Sequence, residues 1–138
     1  MPFWRLFYHF VWHTWNGEPL IAPTWENDLH RVIAAKGVQL GVIVHVVGGV
    51  ENHVHLVVSV PPKLPLPTFI GQVKGNSSHF VNHVLHPDKQ FAWQEEYGVV
   101  SLGEKSLGAV IDYVKNQHAH HAEGKTVPLF EQTSPDRA

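Results

Sequence analysis

The sequence contains no cysteine and a single methionine among its 138 residues. Without cysteine, disulfide bonds and thiolate metal sites are excluded, so any metal would be bound by His, Gln, Asp or Glu. No apolar run approaches the roughly 18 residues that a membrane-spanning helix requires. The aromatic N-terminus carries Arg5 and His9 and has no small-residue cleavage site, so we expect no signal peptide. These absences favour a cytoplasmic protein with no membrane partner.

The sequence also lacks an excess of basic residues, since 10 Lys and Arg face 12 Asp and Glu. Nucleic-acid-binding proteins usually neutralise phosphates with Lys and Arg, so this balance counts against strong non-specific duplex binding. The 12 histidines can donate hydrogen bonds to phosphates but replace permanent charges only weakly. A hydrophobic content of 43% over this length indicates one globular domain over residues 1–138.

Residues 52–60 (NHVHLVVSV) alternate like a strand with two different faces. The apolar residues at even positions can enter a core, whereas His53 and His55 project together from the opposite face. Two imidazoles on one face of a strand provide half of a metal site. Taken alone, such a pair is more often structural than catalytic.

The remaining patterns predict the element order β-α-β-β-α-β-α. We expect the strands over 3–12, 38–47, 52–60 and 91–101, and the helices over 24–36, 68–86 and about 106–123. Gly37 is predicted to end the first helix, Gly48 and Gly49 to form a hairpin turn, and the tail from residue 124 to 138 to be extended. Thr68 is predicted to cap the second helix.

This order matches an α+β, ferredoxin-like (RRM-like) split βαβ fold. Such a fold has a four-stranded antiparallel sheet with two helices on one face and strands one and three in its centre. The His pair would then lie on a central strand, on the face that the first two helices leave open. The C-terminal helix is predicted to cover that face.

Tyr113 and Gln117 are four residues apart on the third predicted helix, so they share one of its faces. A Gln carbonyl oxygen can bind a metal together with His53 and His55. A tyrosine one turn away could then present its phenolic oxygen to a substrate held by the same ion. Mixed nitrogen and oxygen ligation suits Mg²⁺, Mn²⁺ or Zn²⁺ without choosing among them.

Five short motifs resemble those of one known family and follow one another along the chain in the same order as in that family. His53-Val54-His55 resembles the His-hydrophobic-His signature of the HUH endonucleases. Tyr113 and Gln117 resemble the Tyr-x-x-x-Gln motif of the single-tyrosine transposases, the insertion-sequence-200-like group with its domesticated repeat-associated relatives. The remaining motifs of that group are matched by Tyr8-His9 with Trp12-x-Thr14, Lys74-Gly75-x-Ser77-Ser78 and Trp93-Gln94-x-x-Tyr97.

The resemblance implies a transposase that cleaves and rejoins single-stranded DNA. Tyr113 would attack a phosphodiester and form a 5′-phosphotyrosine, and a metal on His53, His55 and Gln117, Mg²⁺ or Mn²⁺, would assist. The resemblance further implies DNA hairpin ends as substrates and a homodimer in which the tyrosine helix acts in trans. It also implies a bacterial cytoplasmic location at the nucleoid.

Four further residues are possible DNA contacts: Lys74, His79, His9 and His13. Lys74 could equally be a solvated helix residue, and His9 and His13 could equally be satisfied residues of the sheet. The family usually carries Arg or Lys where His79 stands. The histidines at 118, 120 and 121 are interpreted as a polar C-terminal turn that is favourable to the helix dipole. The alternative is that one of them reaches the phosphate or the metal.

Two other function classes remain open. A ferredoxin-like sheet with exposed aromatic side chains can bind single-stranded nucleic acid without cutting it. Alternatively, a metal-dependent phosphoesterase could use an activated water molecule, which would leave Tyr113 without a role. The three classes differ in whether a covalent adduct between protein and DNA forms.

Overall fold

The computed structural model describes residues 3–135, and its main elements follow the predicted order. Their bounds are β1 Phe7–His13, α1 Glu26–Gln39, β2 Ile43–Val50, β3 His53–Ser59, α2 Leu66–Phe80, β4 Gly98–Leu102, α3 Leu107–Lys115, α4 Gln117–Glu123 and α5 Pro128–Glu131. Within the described part of the chain, no helix is both long and apolar enough to cross a membrane.

The four strands form one antiparallel sheet in the order β2-β3-β1-β4. This arrangement confirms the predicted α+β fold with the first and third strands in the centre. Helices α1 and α2 cover one face of the sheet, and α3 packs against the other. Alternate residues of β3 therefore enter two different cores. Val54 and Leu56 meet the first two helices, and Val57 meets α3.

Gly37 lies inside α1, so the prediction that it ends the helix was wrong. A Cβ atom at Gly37 would lie 2.8 Å from Cγ2 of Val44, which shows that glycine permits close packing of α1 on β2. The helix continues to Gln39. The left-handed conformation that follows it belongs to Gly41, whose φ is 84°.

Gly48 and Gly49 lie within β2, opposite His55 and Val54 of β3, so the predicted hairpin turn at these glycines was also wrong. The chain instead reverses at residues 51–52. A Cβ atom at Gly48 would lie only 2.3 Å from the carbonyl oxygen of Val114 in α3. Gly48 therefore sets how closely α3 approaches the sheet.

The second helix begins at Leu66 after Pro65, and Thr68 does not cap it. A π-helical turn extends it to Leu85, and His86 ends it in a left-handed conformation with φ 49°. The fourth strand is shorter than predicted, because the backbone before it forms only an isolated bridge, between Trp93 and Thr14, and leaves some carbonyl groups to a side chain. Lys74 Nζ donates to the carbonyl oxygens of Gln94 at 2.6 Å and of Glu95 at 2.9 Å.

Replacing Gly48 by alanine is expected to force α3 away from β2 and to lower the free energy of unfolding by about 1–3 kcal/mol, as overpacking does. Thermal unfolding followed by circular dichroism measures this change. Gly108→Ala is the matched control, because Gly108 lies on α3 with nothing within 4 Å of the added Cβ atom. It is expected to stabilise the helix by about 0.5–1 kcal/mol. Equal stability of the two variants would contradict the role assigned to Gly48.

Candidate metal and tyrosine site

The His pair projects from β3 on the face opposite α1 and α2, where the sequence places it. His53 is 3% exposed and His55 is fully buried. Because β1 and β2 both pair with β3, both residues lie on a central strand with a neighbouring strand on each side. The sheet therefore fixes the backbone positions of both residues, and the neighbouring side chains set only the rotamers of the imidazoles.

Tyr113 and Gln117 lie beside the pair, although the helix that carries them is not continuous. It breaks at Asn116 into α3 and α4, so the prediction of one helix over 106–123 was wrong. The two residues still share a face, and the Gln117 amide donates to the carbonyl oxygen of Tyr113 at 3.3 Å. The Tyr113 ring lies 5.9 Å from the His55 ring, nearly perpendicular to it. Gln117 Oε1 lies 3.3 Å from His53 Nε2.

The sequence reasoning missed Glu131 as part of this site. The tail was predicted to be extended, but it forms the short helix α5, which brings the carboxylate to the His pair. Glu131 Oε1 lies 3.1 Å from Nε2 of His53 and 3.2 Å from Nε2 of His55. The Tyr113 hydroxyl donates to the other carboxylate oxygen, Oε2. No sequence period or spacing connects Glu131 with these residues.

His121 also joins the cluster, since its Nε2 lies 3.4 Å from Glu131 Oε1 and 3.1 Å from Gln117 Oε1. Helical spacing could have found it, because His121 follows Gln117 by four residues on α4. His118 instead faces α1, with its Nε2 3.0 Å from Glu26 Oε1. His120 stacks on the Tyr113 ring at 4.8 Å between centroids.

Four side chains of this cluster could hold a metal ion, since one ligand atom from each lies within 4.8 Å of the others. They are His53, His55, His121 and Glu131. The donor set consists of imidazole nitrogens and a carboxylate oxygen, with the Gln117 oxygen adjacent. Such a set fits a divalent ion. His53 and His55 are buried, His121 and Glu131 are partly exposed, and the four donors converge on one point, as in a metal site.

The far nitrogens of the His pair are held by other side chains. Nδ1 of His53 lies 2.7 Å from Oδ1 of Asn52, and Nδ1 of His55 lies 2.8 Å from Nε2 of His9. When Nδ1 of His53 carries the proton, it donates to Asn52 and leaves the Nε2 lone pair free to face a metal. When Nε2 carries the proton, it donates to Glu131. When Nε2 of His9 accepts a hydrogen bond from Nδ1 of His55, the Nε2 lone pair of His55 is likewise free to face a metal.

Burial controls the protonation of these groups. It lowers the pKa of His9 to about 3, assisted by the neighbouring His55, and it also lowers the pKa of His55 and His121. Burial alone would raise the pKa of the Glu131 carboxyl, but hydrogen bonds from the His pair hold that pKa well below its ordinary value. At neutral pH these three histidines are therefore neutral and Glu131 is ionised.

The Tyr113 phenol is held in its protonated form. Burial, together with the hydrogen bond to Glu131, raises the pKa of Tyr113 to about 12. The backbone N–H of Val127 donates to the same phenolic oxygen at 3.0 Å. The phenolic oxygen therefore keeps its proton at neutral pH.

The four candidate DNA contacts lie in different environments. His9 is 2% exposed and its ring meets His55, so it lies under the site and away from solvent. His13 is partly buried beside the His53 ring at 5.3 Å. The Lys74 ammonium group donates hydrogen bonds to backbone carbonyl oxygens, as described above. His79 is exposed on α2 and stacks on His83 at 4.2 Å, on the helix that covers the opposite face of the sheet.

One chain supplies both the tyrosine and the His pair. The contacts of the Glu131 carboxylate with the Tyr113 hydroxyl and with His55 Nε2 join residues of the same molecule. The expected arrangement, in which the tyrosine helix serves the partner subunit of a homodimer, stays a prediction, because the structure contains one chain.

Comparison with known proteins identifies relatives along most of the chain. A family model described as "Transposase IS200 like" matches residues 2–117, which include the His pair, Tyr113 and Gln117. The ISDra2 transposase TnpA of Deinococcus radiodurans is 23% identical over 120 residues, covering 83% of this chain and 86% of that protein. The transposase for insertion sequence element IS200 of Salmonella typhimurium is 27% identical over 90 residues, covering 61% of this chain and 58% of that protein.

Solved structures share the fold. A Deinococcus radiodurans R1 protein assigned as a transposase superposes with a TM-score of 0.68 at 21% identity, covering 84% of this chain and 93% of its own. A REP-associated tyrosine transposase bound to a REP hairpin superposes with a TM-score of 0.64 at 14% identity, covering 91% of this chain and 76% of its own. At these identities the likeness concerns the arrangement of the sheet and helices.

Mn²⁺ is expected to bind the wild-type protein at the cluster. His55→Ala, which removes a buried ligand, is expected to abolish this binding. Asn52→Ala is expected to weaken binding about 10–100-fold, because the His53 ring loses the partner that orients it. Isothermal titration calorimetry measures both affinities. His118→Ala, on the same helix as His121 but directed at α1, is the control and should bind like wild type. Undiminished Mn²⁺ affinity in His55→Ala would place the ion elsewhere.

Proposed function

The chain belongs to the family of IS200-like transposases, and on that premise we propose that it cleaves and rejoins single-stranded DNA with Tyr113 as the nucleophile. The observation that carries the proposal is the position of the Tyr113 hydroxyl. It is bonded to a carboxylate that also contacts both histidines of the β3 pair. A tyrosine held in this way next to a candidate metal cluster is suited to attack a phosphate group.

In the proposed reaction, the Tyr113 oxygen forms a bond to phosphorus while the bond from phosphorus to the 3′ oxygen breaks. The products are a 5′-phosphotyrosine and a free 3′-hydroxyl. The phosphotyrosine retains the energy of the phosphodiester, so rejoining needs no nucleotide cofactor. Tyr113 is only 7% exposed, so the bulk of its ring stays packed while its oxygen reacts.

The residues present fit a divalent metal ion, which we propose to be Mg²⁺ or Mn²⁺. His53, His55 and Gln117 would hold it, and His121 and Glu131 provide further donors in the same space. When bound, the ion would polarise the scissile phosphate and stabilise its growing negative charge. Asn52 and His9 would orient the two ligand rings from behind.

The proposed substrate is single-stranded DNA at a hairpin end. Support comes from the fold neighbour that carries a bound REP hairpin and from the near-neutral charge of this chain, which disfavours indiscriminate duplex binding. His13 and His79 remain proposed DNA contacts. We propose that the protein acts in the bacterial cytoplasm, at the nucleoid.

A labelled single-stranded hairpin oligonucleotide is expected to form a covalent adduct with wild-type protein in the presence of Mg²⁺ or Mn²⁺. Tyr113→Phe and EDTA should each abolish the adduct, because one removes the nucleophile and the other the ion. Denaturing gel electrophoresis measures the adduct. Tyr97→Phe is the control and should react normally, since Tyr97 packs against the core on the α1 and α2 side.

Each alternative function gives a different result in this assay. Cleavage without an adduct, unaffected by Tyr113→Phe, would indicate a phosphoesterase that uses water. Binding that survives EDTA and the loss of His53 and His55, with no cleavage, would indicate a binding module.

A mixture of Tyr113→Phe and His55→Ala proteins tests which chain supplies the tyrosine. Because Tyr113 and His55 are joined through Glu131 within one chain, the mixture is expected to form no more adduct than either variant alone. The rate of adduct formation after co-incubation measures this. The double variant Tyr113→Phe, His55→Ala mixed with wild type provides the control for dilution of active chains. Restored activity in the mixture would mean that two subunits exchange the tyrosine helix, as the resemblance first implied.

A further inference from the structure

We propose that Trp15 binds an unpaired base of the DNA strand by stacking, at the edge of the metal and tyrosine site. The inference rests on the proposed function and deepens it, because it names a contact that makes the site prefer single-stranded DNA. Trp15 is not one of the candidate metal donors. The contact therefore involves neither the bound ion nor a proton transfer.

The indole of Trp15 is not packed like those of the tryptophans in the core with α1 and α2. Trp12 and Trp93 pack edge to face at 5.7 Å between ring centroids, and Trp25 packs in the same way on a phenylalanine. Trp15 is 50% exposed, and in the part of the chain that the structure describes no other aromatic ring packs on it. Half of a large aromatic side chain is therefore available to a ligand.

Strand alternation directs Trp15 towards the face that carries the His pair. The His13 ring lies on that face, 5.3 Å from the His53 ring. Thr14 keeps an extended backbone, with φ −67° and ψ 162°. Because side chains two apart on an extended chain point the same way, Trp15 shares the side of His13. Two extended residues span about 7 Å, so the backbone of Trp15 lies within that distance of His13.

Hydrogen bonds hold the backbone of Trp15 in place. Its N–H donates to the carbonyl oxygen of Ala92 at 2.9 Å, and its carbonyl oxygen accepts from the N–H of Glu18 at 3.1 Å. The next residue, Asn16, has a left-handed backbone with φ 52°, and its N–H donates to Oε1 of Gln94 at 3.0 Å. The loop is therefore ordered before DNA binds, so little conformational entropy is lost when a base stacks on it.

Asn52 joins this loop to the metal site. Its side-chain amide donates to the carbonyl oxygen of Gly17 at 3.4 Å, and its Oδ1 lies 2.7 Å from Nδ1 of His53. Its backbone carbonyl oxygen accepts from the N–H of Thr14 at 2.9 Å. One residue thus fixes the loop and a candidate metal ligand relative to each other. A base stacked on Trp15 would therefore belong to a nucleotide near the scissile phosphate.

The charge of this region suits stacking better than ionic binding. Glu18 of the loop is paired with Lys89 at 2.7 Å, and the whole chain carries a net charge of −2. The protein therefore has few free cations with which to neutralise phosphates. Stacking of a base on an aromatic ring needs no cation and tolerates any base. Bases in a duplex are already stacked on their neighbours, so Trp15 would select an unpaired base.

The affinity for the hairpin oligonucleotide is measured with one abasic nucleotide placed at each position of its unpaired flank in turn. Tyr113→Phe is the parent protein, because it binds DNA without forming the adduct. At one flank position we expect the abasic nucleotide to weaken binding about 5–100-fold, the range of base stacking on an aromatic ring. Adding Trp15→Leu should weaken binding of the intact oligonucleotide by a similar factor and make that position insensitive. Fluorescence anisotropy of the labelled oligonucleotide measures each Kd.

Two further variants separate stacking from a merely apolar or structural role. Trp15→Phe keeps an aromatic ring and should keep most of the affinity, whereas Trp15→Leu keeps only apolar bulk. Phe3→Leu is the matched control and should bind like the parent, since Phe3 is 87% exposed and precedes the opposite end of β1. The loss caused by Trp15→Leu should be the same at low and high salt, because stacking releases no counterions.

The outcomes separate this inference from the proposed function. Equal affinity of Trp15→Leu and its parent overturns only the stacking role, and so does a flank position whose sensitivity Trp15→Leu leaves unchanged. Coupling of Trp15 with paired stem positions alone also overturns it. Binding by the wild-type protein without a covalent adduct overturns the proposed function, and the same binding curves then decide the role of Trp15. Failure of the oligonucleotide to bind overturns both.

Discussion

Strand β3 is buried on both faces, and the position of every candidate catalytic group follows from this constraint. Val54 and Leu56 on one face are fully buried in the core with α1 and α2. A shift of the strand by one residue would bring the imidazoles of His53 and His55 into that core and turn the apolar side chains towards the face that α3 covers. The pairing with β1 and β2 on both sides opposes any such shift. The hydrophobic core thus fixes the positions of His53 and His55.

Two glycines let the other parts of the site approach this strand. Gly48 admits the backbone of α3 to β2, and Gly98 admits the segment after α5 to β4. The first contact positions Tyr113, and the second positions Glu131. Three segments that are distant in sequence therefore meet on one face of the sheet because the sheet lacks side chains at these two points. A larger residue at either point would displace Tyr113 or Glu131 without touching either side chain.

The sequence predicted the parts of this structure that local patterns encode. Alternation located His53 and His55, and helical spacing put Tyr113 and Gln117 on one face even though the helix breaks between them. Glu131 could not be predicted in the same way, because its contacts span 76 residues to His55 and no periodicity marks a short helix that begins at a proline. Gly48 was misread for a related reason. A Gly-Gly pair is a local turn signal. Here glycine is needed at position 48 because the backbone of Val114, which is distant in sequence, approaches it closely.

The charges of the cluster explain why this face would need a metal ion to act on DNA. Burial lowers the pKa of His9, His13, His55 and His121, so these rings bring no positive charge at neutral pH. Glu131, kept ionised by its bonds to the His pair, makes the same space negative. A phosphate group approaching these residues alone would be repelled. The negative carboxylate would favour the binding of a divalent cation among these donors. The bound cation would reverse the sign of the electrostatic field, so a phosphate group would be attracted to the space that Tyr113 faces.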